Sequence, residues 1–287
     1  MQAIAKDVYI EDEYLGVTLG VISLPHGLLQ IDAPPFPEDA RTWRAALLSL
    51  GGGAERLLVN LDAHPDRTLG ARAMDCTIVA HEKTAQVFRT RPNTFKAQGE
   101  ETGADWESIP GLGNVRWILP EITFSHQMTI HWDDNAPIVL EHHPGPSAGA
   151  TWVVLPEEKV VFVGDAVLRN QPPFLAGADL AAWSETVKLL LSPAYRGWLV
   201  VSGRGGLVNV EIIRAQRDYL EQVSHKLEKL AQKKSQPEAV ENLITPLLNP
   251  FKIPANLHQK YAQRLRYGLY HYYGRHFHPA SNIAGEE

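Results

Sequence analysis

The chain has 287 residues, 44% of them hydrophobic and 21% charged, which excludes an intrinsically disordered protein and allows one large domain or two small ones around a buried core. Its formal net charge of −6 gives no electrostatic case for gripping a nucleic-acid backbone. Cys76 is the single cysteine, so an intrachain disulfide and a cysteine-based zinc cluster are both excluded.

The first stretch, "MQAIAKDVYIEDEY", has acids early and no apolar h-region, so no secretory signal is read there. No apolar run approaches the roughly 20 residues of a membrane span. A cytoplasmic protein is expected. Residues 16–24 and 28–32 are strand-like runs flanking the turn Pro25-His26-Gly27, and read as a hairpin. Residues 38–50 carry helical apolar spacing at Trp43, Ala46, Leu47 and Leu50, and Gly51-Gly52-Gly53 ends that helix. No Lys-Ser/Thr follows the triplet, so it is a C-cap and linker rather than a phosphate loop.

Strands are expected at 56–60, 77–80, 115–119, 128–132, 137–141, 151–155, 159–163 and 198–202. Cys76, beside Thr77-Ile78-Val79, reads as a core residue. "LPEEK" at 155–159 joins two apolar runs as a tight hairpin. Residues 179–191 have a helical period with Asp179 as N-cap. Strands interspersed with helices and hairpins imply layered sheets covered by helices.

After Val210 the pattern becomes helical. Ile213, Leu220, Val223, Leu227 and Leu230 form one stripe. Ser235 and Glu238, with Pro237 between them, read as a capping-box start to a second helix, and Asn256 as the cap of a third. That third helix carries Tyr261, Tyr267, Tyr270, Tyr272 and Tyr273, an aromatic stripe suited to packing or to a dimer face. From Glu211 onward 11 Lys and Arg stand against 8 Asp and Glu, a local +3 that leaves −9 for residues 1–210. This mild basic tail reads as a solvated helical surface.

Three segments at the ends of apolar runs hold the candidate chemistry. They are "NLDAHPDR" (60–67), "VVFVGDAVLRNQPPF" (160–174) and "GWLVVSGRGG" (197–206). Strand ends are where layered α/β folds place ligands, and carboxylates with imidazole suit zinc, iron or manganese. Each residue also has a plainer reading. Asp66 can cap a helix, Asp165 can be a turn residue, and His64 before Pro65 can be a loop histidine.

The order of these segments resembles the metallo-β-lactamase superfamily. Its His-x-His-x-Asp-His motif is similar to Asp62-Ala63-His64-Pro65-Asp66-Arg67. Its Pro-Gly-His-Thr-x-Gly motif is similar to Pro144-Gly145-Pro146-Ser147-Ala148-Gly149. "ATWVVLPEEKVVFVGD" resembles the bridging-aspartate segment, ending at Asp165, and Gly203-Arg204-Gly205 resembles the last Gly-His-Gly. The opening hairpin, with Gly16, Gly20 and Ile31-Asp32, also looks like the family's start. The resemblance spans roughly residues 7–210. It implies an α/β (α+β) fold: a four-layer αββα metallo-β-lactamase-like sandwich over 1–210. Residues 211–287 would form a C-terminal helical extension packed on it.

The same resemblance implies a ligand set that this chain departs from. His64, Asp66 and Asp165 match; Asp62, Arg67, Pro146 and Arg204 stand where the family has histidines. His142 and His143 do not occupy the ligand position. A guanidinium stays protonated and offers no lone pair to a metal. One site survives on paper: Asp62, His64 and Asp165 could hold a single Zn, Fe or Mn ion. Against it, Asp62, Asp66 and Asp165 bring −3, Arg67 and Arg204 bring +2, and a protonated His64 would close the balance without metal.

The favoured expectation is therefore a metal-free, ion-paired pocket of Asp62, His64, Asp66, Arg67, Asp165 and Arg204, without a cofactor, that binds a small anionic ligand. Arg169, Asn170 and Phe174 are candidate rim residues. Two alternatives are a single-metal hydrolase using Asp62, His64 and Asp165, and a non-catalytic interaction protein that dimerises through its C-terminal helices. Neither nucleic acid nor membrane is an expected partner.

Overall fold

A computed structural model describes residues 1–51, 53–92, 94–95, 101–113, 115–132 and 137–278. Among these residues two sheets form. The first runs in chain order: β1 (Gln2–Ala5), β2 (Val8–Glu11), β3 (Leu19–Leu24), β4 (Gly27–Ile31), β5 (Glu55–Val59), β6 (Thr77–His81) and β7 (Ile122–Phe124). It is antiparallel up to β4 and parallel from β4 to β7. The second holds β8 (Gln127–Ile130), β9 (Ile138–His142), β10 (Thr151–Leu155), β11 (Val160–Phe162), β12 (Leu199–Val201) and β13 (Leu207–Val208), also in chain order across the sheet. Only β11 and β12 pair in parallel there; the other pairings are antiparallel.

The strand sequences dictate the layering. Successive side chains of a strand point to opposite faces, so a run apolar at every position must be covered on both. In β10, "TWVVL", every residue is buried. Val153 and Leu155 enter the core between the sheets, where they meet Ile31, Val59 and Val79. Trp152 and Val154 face the other way. That outer face is covered by α5 (Leu180–Leu190), α6 (Val210–Gln232), α7 (Glu241–Leu248) and α8 (His258–Phe277). The outer face of the first sheet, with Leu28, Leu58 and Ile78, packs under α1 (Pro37–Leu47) and α3 (Ala71–Met74). The result is the expected αββα sandwich with a C-terminal helix at its end. Two further helices, α2 (Pro65–Thr68) and α4 (Glu82–Thr90), follow β5 and β6. Among the described residues no helix is long and apolar enough to cross a membrane.

Local signals placed many elements correctly. The β3–β4 hairpin closes through Leu24 opposite Gly27, and "LPEEK" joins β10 to β11 with Leu155 opposite Val160. Asp179 caps α5, as expected, by accepting from the Ala182 amide at 3.0 Å; the cap of α6, Asn209, which accepts from the Ile212 amide at the same distance, is a finding of the structure. Cys76 is partly buried against the outer core of the first sheet, and burial pushes its thiol up to about 11.

Three local expectations need correction. Residues 115–119 are not a strand; Arg116 makes one isolated bridge to Thr94. Val115 and Trp117 bury instead in a loop cluster with Phe95, Trp106 and Leu112, and Pro120 cannot donate to a ladder. Pairing resumes only when the Glu121 amide donates to the Ile78 carbonyl at 3.0 Å, next to β7. The Ser235/Glu238 capping box is absent, because Pro237–Val240 forms a 3-10 turn after Gln236 with no side-chain cap. Asn256 is not the cap of α8: it lies inside the 3-10 turn Ala255–Leu257, and the helix starts from Leu257. The pairing of β1 with β2 was not read from the sequence.

Candidate functional site

The C-terminal ends of β4, β5, β11 and β12 converge, and each supplies a charged residue just beyond its last strand position. Asp32 follows β4. Asp62 and His64 follow β5, with Asp66 and Arg67 in the short α2. Asp165 follows β11 in a 3-10 turn, and Arg204 follows β12. Glycine makes the space: a Cβ on Gly203 would lie 2.9 Å from both terminal nitrogens of Arg67.

Arg67 is fully buried and reaches three carboxylates. Nη1 donates to Asp32 Oδ2 at 3.0 Å, and Nη2 donates to Asp165 Oδ1. Nε lies 3.1 Å from Asp62 Oδ1 but off the N–H direction, an ion pair rather than a hydrogen bond. Arg204, also buried, donates from Nε to Asp165 Oδ1 and Oδ2 at 3.1 and 3.3 Å. Its Nη1 donates to Asp66 Oδ2 at 2.8 Å and to Asp105 Oδ2 at 3.1 Å. Its Nη2 lies 3.1 Å from His64 Nδ1. A guanidinium can only donate, so Nδ1 accepts and the imidazole proton sits on Nε2.

The six pocket residues expected from the sequence therefore meet in one network. Sequence reasoning missed four further members. Asp32 accepts from the Leu61 amide at 2.9 Å as well as from Arg67. Asp105, from the loop before Trp106, also takes Arg264 Nη2 at 3.1 Å, with Lys260 Nζ at 3.5 Å. Arg264 comes from α8, so the C-terminal helices are built into the site. Its remaining donors reach the Gly103 carbonyl at 3.0 Å and Gln171 Oε1 at 2.8 Å. No local motif marks a residue 60 positions beyond Arg204; the signal available was an arginine within an aromatic helical stripe.

Burial and pairing sort the carboxyls. Burial raises Asp165, yet Arg204 and Arg67 outweigh it and hold the group well below the usual range. Burial likewise opposes Asp105, where Arg264, Arg204 and Lys260 keep the group ionised. Burial dominates at Asp32, raised to about 7 against Arg67, and at Asp66, raised to about 6 against Arg204. Asp62 is raised for the same reason. His64 corrects the sequence-based charge balance. Burial, then the neighbouring Arg204, push it well below its ordinary value, so it is neutral and supplies no cation. Balance comes instead from Arg264, Lys260 and partial protonation of the most buried carboxyls.

Over this floor lies a cavity of about 420 Å³. Asp62, His64 and Asp165 reach its base, whereas most of its wall is apolar, including Phe174, Trp106 and Trp183. Of the three rim candidates, Phe174 lines it. The ring lies tilted against His64, with centroids 4.4 Å apart, and covers the guanidinium groups of Arg264 and Arg204 at 4.1 and 4.7 Å. Arg169 instead donates to the Gly205 carbonyl at 3.3 Å, and Asn170 exchanges hydrogen bonds with the Lys252 backbone at 2.8 and 2.9 Å. Neither lines the cavity. His142 and His143 also point elsewhere: His142 stacks on His81 at 3.8 Å and His143 on Trp152 at 3.9 Å.

A metal fits these residues poorly. Arg67 and Arg204 stand at two ligand positions and engage Asp62, Asp66 and Asp165, while Nδ1 of His64 is taken by Arg204. The carboxylates of Asp62, Asp66 and Asp165 are thus already paired with fixed guanidinium groups, at 3.1, 2.8 and 3.1 Å. Among the described residues no group of three or more His, Cys, Asp or Glu is arranged to hold a metal ion.

Residues 63–203 match the family model of the metallo-beta-lactamase superfamily. Among solved structures, the metallo-beta-lactamase from Pontibacter korlensis superposes with a TM-score of 0.62 at 18% identity, covering 77% of this chain and 97% of that one. The sec-alkylsulfatase Pisa1 from Pseudomonas sp. gives a TM-score of 0.67 at 15% identity, covering 98% of this chain and 50% of that one. A search of curated proteins finds no match. Residues 63–203 thus carry the metallo-β-lactamase superfamily match, and the fold is the one that these solved structures share.

Proposed function

We propose that this chain is a metal-free member of the superfamily. In this reading buried arginines have taken over the ligand positions, and the cavity above them binds a small anionic molecule without metal-assisted hydrolysis. The observation that carries this reading is the fully buried Arg204. It engages Asp165, Asp66 and His64 at once, three groups that would otherwise have to face a metal. Bringing in a divalent cation would require breaking these bonds and leaving two buried guanidinium groups beside it. At 5–6 Å that repulsion costs on the order of several kcal/mol at an effective dielectric near 20.

The single-metal alternative needs Asp62, His64 and Asp165 as free donors. Asp62 Oδ1 already accepts from the His64 amide at 2.8 Å and lies against Arg67, and Asp165 is shared by two arginines. The cavity itself has the size and mostly apolar lining of a small-molecule site. Elemental analysis of protein purified from zinc-, iron- and manganese-replete cells tests the proposal. Well under one equivalent of metal after dialysis is expected. Near-stoichiometric metal that Asp165→Asn abolishes would overturn it.

A further inference from the structure

We infer that Arg91 is the anchor of this cavity, gripping the carboxylate of a ligand whose apolar body fills the space above Phe174. The inference rests on the reading of the cavity as a ligand site and adds the ligand's chemical class: an amphipathic monocarboxylate.

Arg91 lies just beyond α4, outside the Arg67–Arg204–Arg264 network. It borders two adjoining cavities, the one of about 420 Å³ and a second of about 360 Å³ that shares Pro65, Thr102, Trp106 and Tyr267 with it. Its guanidinium is held in place. Nη1 donates to the Ala63 carbonyl at 2.8 Å, and the plane rests on Trp117 and Phe88, 4.6 and 5.4 Å from the ring centroids. Among the described residues Nε and Nη2 have no hydrogen-bond partner, and no carboxylate lies within 4 Å of the group.

The contrast with the other arginines of the site decides the assignment. Arg264 reaches the cavity wall, but it and Arg204 have spent their donors on acids, carbonyls and the His64 ring, and Phe174 lies against both guanidinium groups. Arg91 is half-buried, and burial lowers it to about 10, with only partial relief from Asp62. Asp62 itself is engaged by Arg67 and the His64 amide. A positioned, partly desolvated cation with two adjacent N–H groups to spare is complementary to a carboxylate, which can accept both. The wall around it then sets the remainder of the ligand: Trp183, Phe174, Leu175 and Val87 offer no charge and favour an aliphatic or aryl body.

The test is equilibrium binding, by calorimetry, of 4-phenylbutyrate and 4-phenylbutan-1-ol to the full chain and to Arg91→Gln. The acid should bind wild type about tenfold or more tighter than the alcohol, as expected of a charge-assisted pair. Arg91→Gln should weaken the acid by the same factor and leave the alcohol within about twofold, which also shows that the variant is folded. Equal binding of acid and alcohol, or an acid affinity indifferent to Arg91→Gln, would overturn the anchor while leaving the cavity a ligand site. No binding of either compound at millimolar concentration would overturn both.

Discussion

Arg204 Nε donates to both oxygens of Asp165, at 3.1 and 3.3 Å, while Arg67 donates to one of the same oxygens from the other side. A carboxylate placed between two buried guanidinium groups is their shared counter-charge. Asp165→Ala should therefore destabilise strongly, by roughly 3–5 kcal/mol, since two cations would stay buried and under-paired. Chemical denaturation in chelator measures this. A neutral or stabilising effect would show that the arginines do not depend on Asp165.

Arg204→His separates charge from ligand type. It returns an imidazole to the family position yet strips Asp66, Asp105 and Asp165 of a shared donor. The variant should lose stability in chelator and regain only part of it with added zinc. Full recovery with zinc, to a melting temperature at or above that of wild type, would mean that the site is still arranged for a metal.

The strand-end segments were legible because chemistry and order agree there: Asp62, His64, Asp66, Arg67, Asp165 and Arg204 are all short reaches beyond apolar runs, and all six meet. What the sequence hid is long-range. Asp105 lies in a loop without periodicity, and its partner Arg264 is 159 residues away on a helix that reads as mere packing. Asp32 looked like the end of a hairpin strand because nothing local shows that Arg67 will lie against it. The protonation of His64 was misjudged for a related reason. Counting acids suggested a raised value, but burial disfavours the charged ring, and the imidazole also faces a guanidinium. The strand expected at 115–119 failed because its apolar side chains are claimed by Phe95 and Trp106 within a loop cluster.

His64 should make the fold sensitive to mild acid. Its folded-state value is depressed by burial and Arg204, below the ordinary value near 6.5. The unfolded chain then takes up a proton that the folded one refuses. The histidine's contribution is fully present above about pH 6.5 and is lost as pH falls from there, by up to about 2 kcal/mol at pH 5. Its side chain keeps 19% exposure, which makes that figure an upper bound. The check is the slope of stability between pH 7 and 5, which should be shallower in His64→Gln. Nitrogen NMR should show a neutral ring protonated at Nε2 across this range; a titration near 6.5 would defeat the argument.

Two arginines on α8 offer an internal comparison. Arg266 pairs with Glu241 at 2.7 and 2.8 Å, but 44% and 56% of the two side chains are exposed. Water competes for that pair, and exposed ion pairs contribute about 0–1 kcal/mol, so Arg266→Ala should be nearly silent. Arg264 sits two residues earlier on the buried face and holds Asp105, the Gly103 carbonyl and Gln171, with Phe174 and Tyr261 stacked on its guanidinium. Arg264→Met keeps much of the stem and the apolar contact but removes the charge and every donor. Asp105 would be left with Arg204 and the more distant Lys260, and the Gly103 carbonyl would lose its donor. A loss of roughly 3–5 kcal/mol is expected, as for one partner removed from a buried pair. If α8 is clamped to the sandwich through this residue, amide exchange along His258–Phe277 should accelerate in Arg264→Met and stay unchanged in Arg266→Ala. Equal, small effects of the two substitutions would mean that the helix is held by its apolar face alone and that the network ends at Asp105.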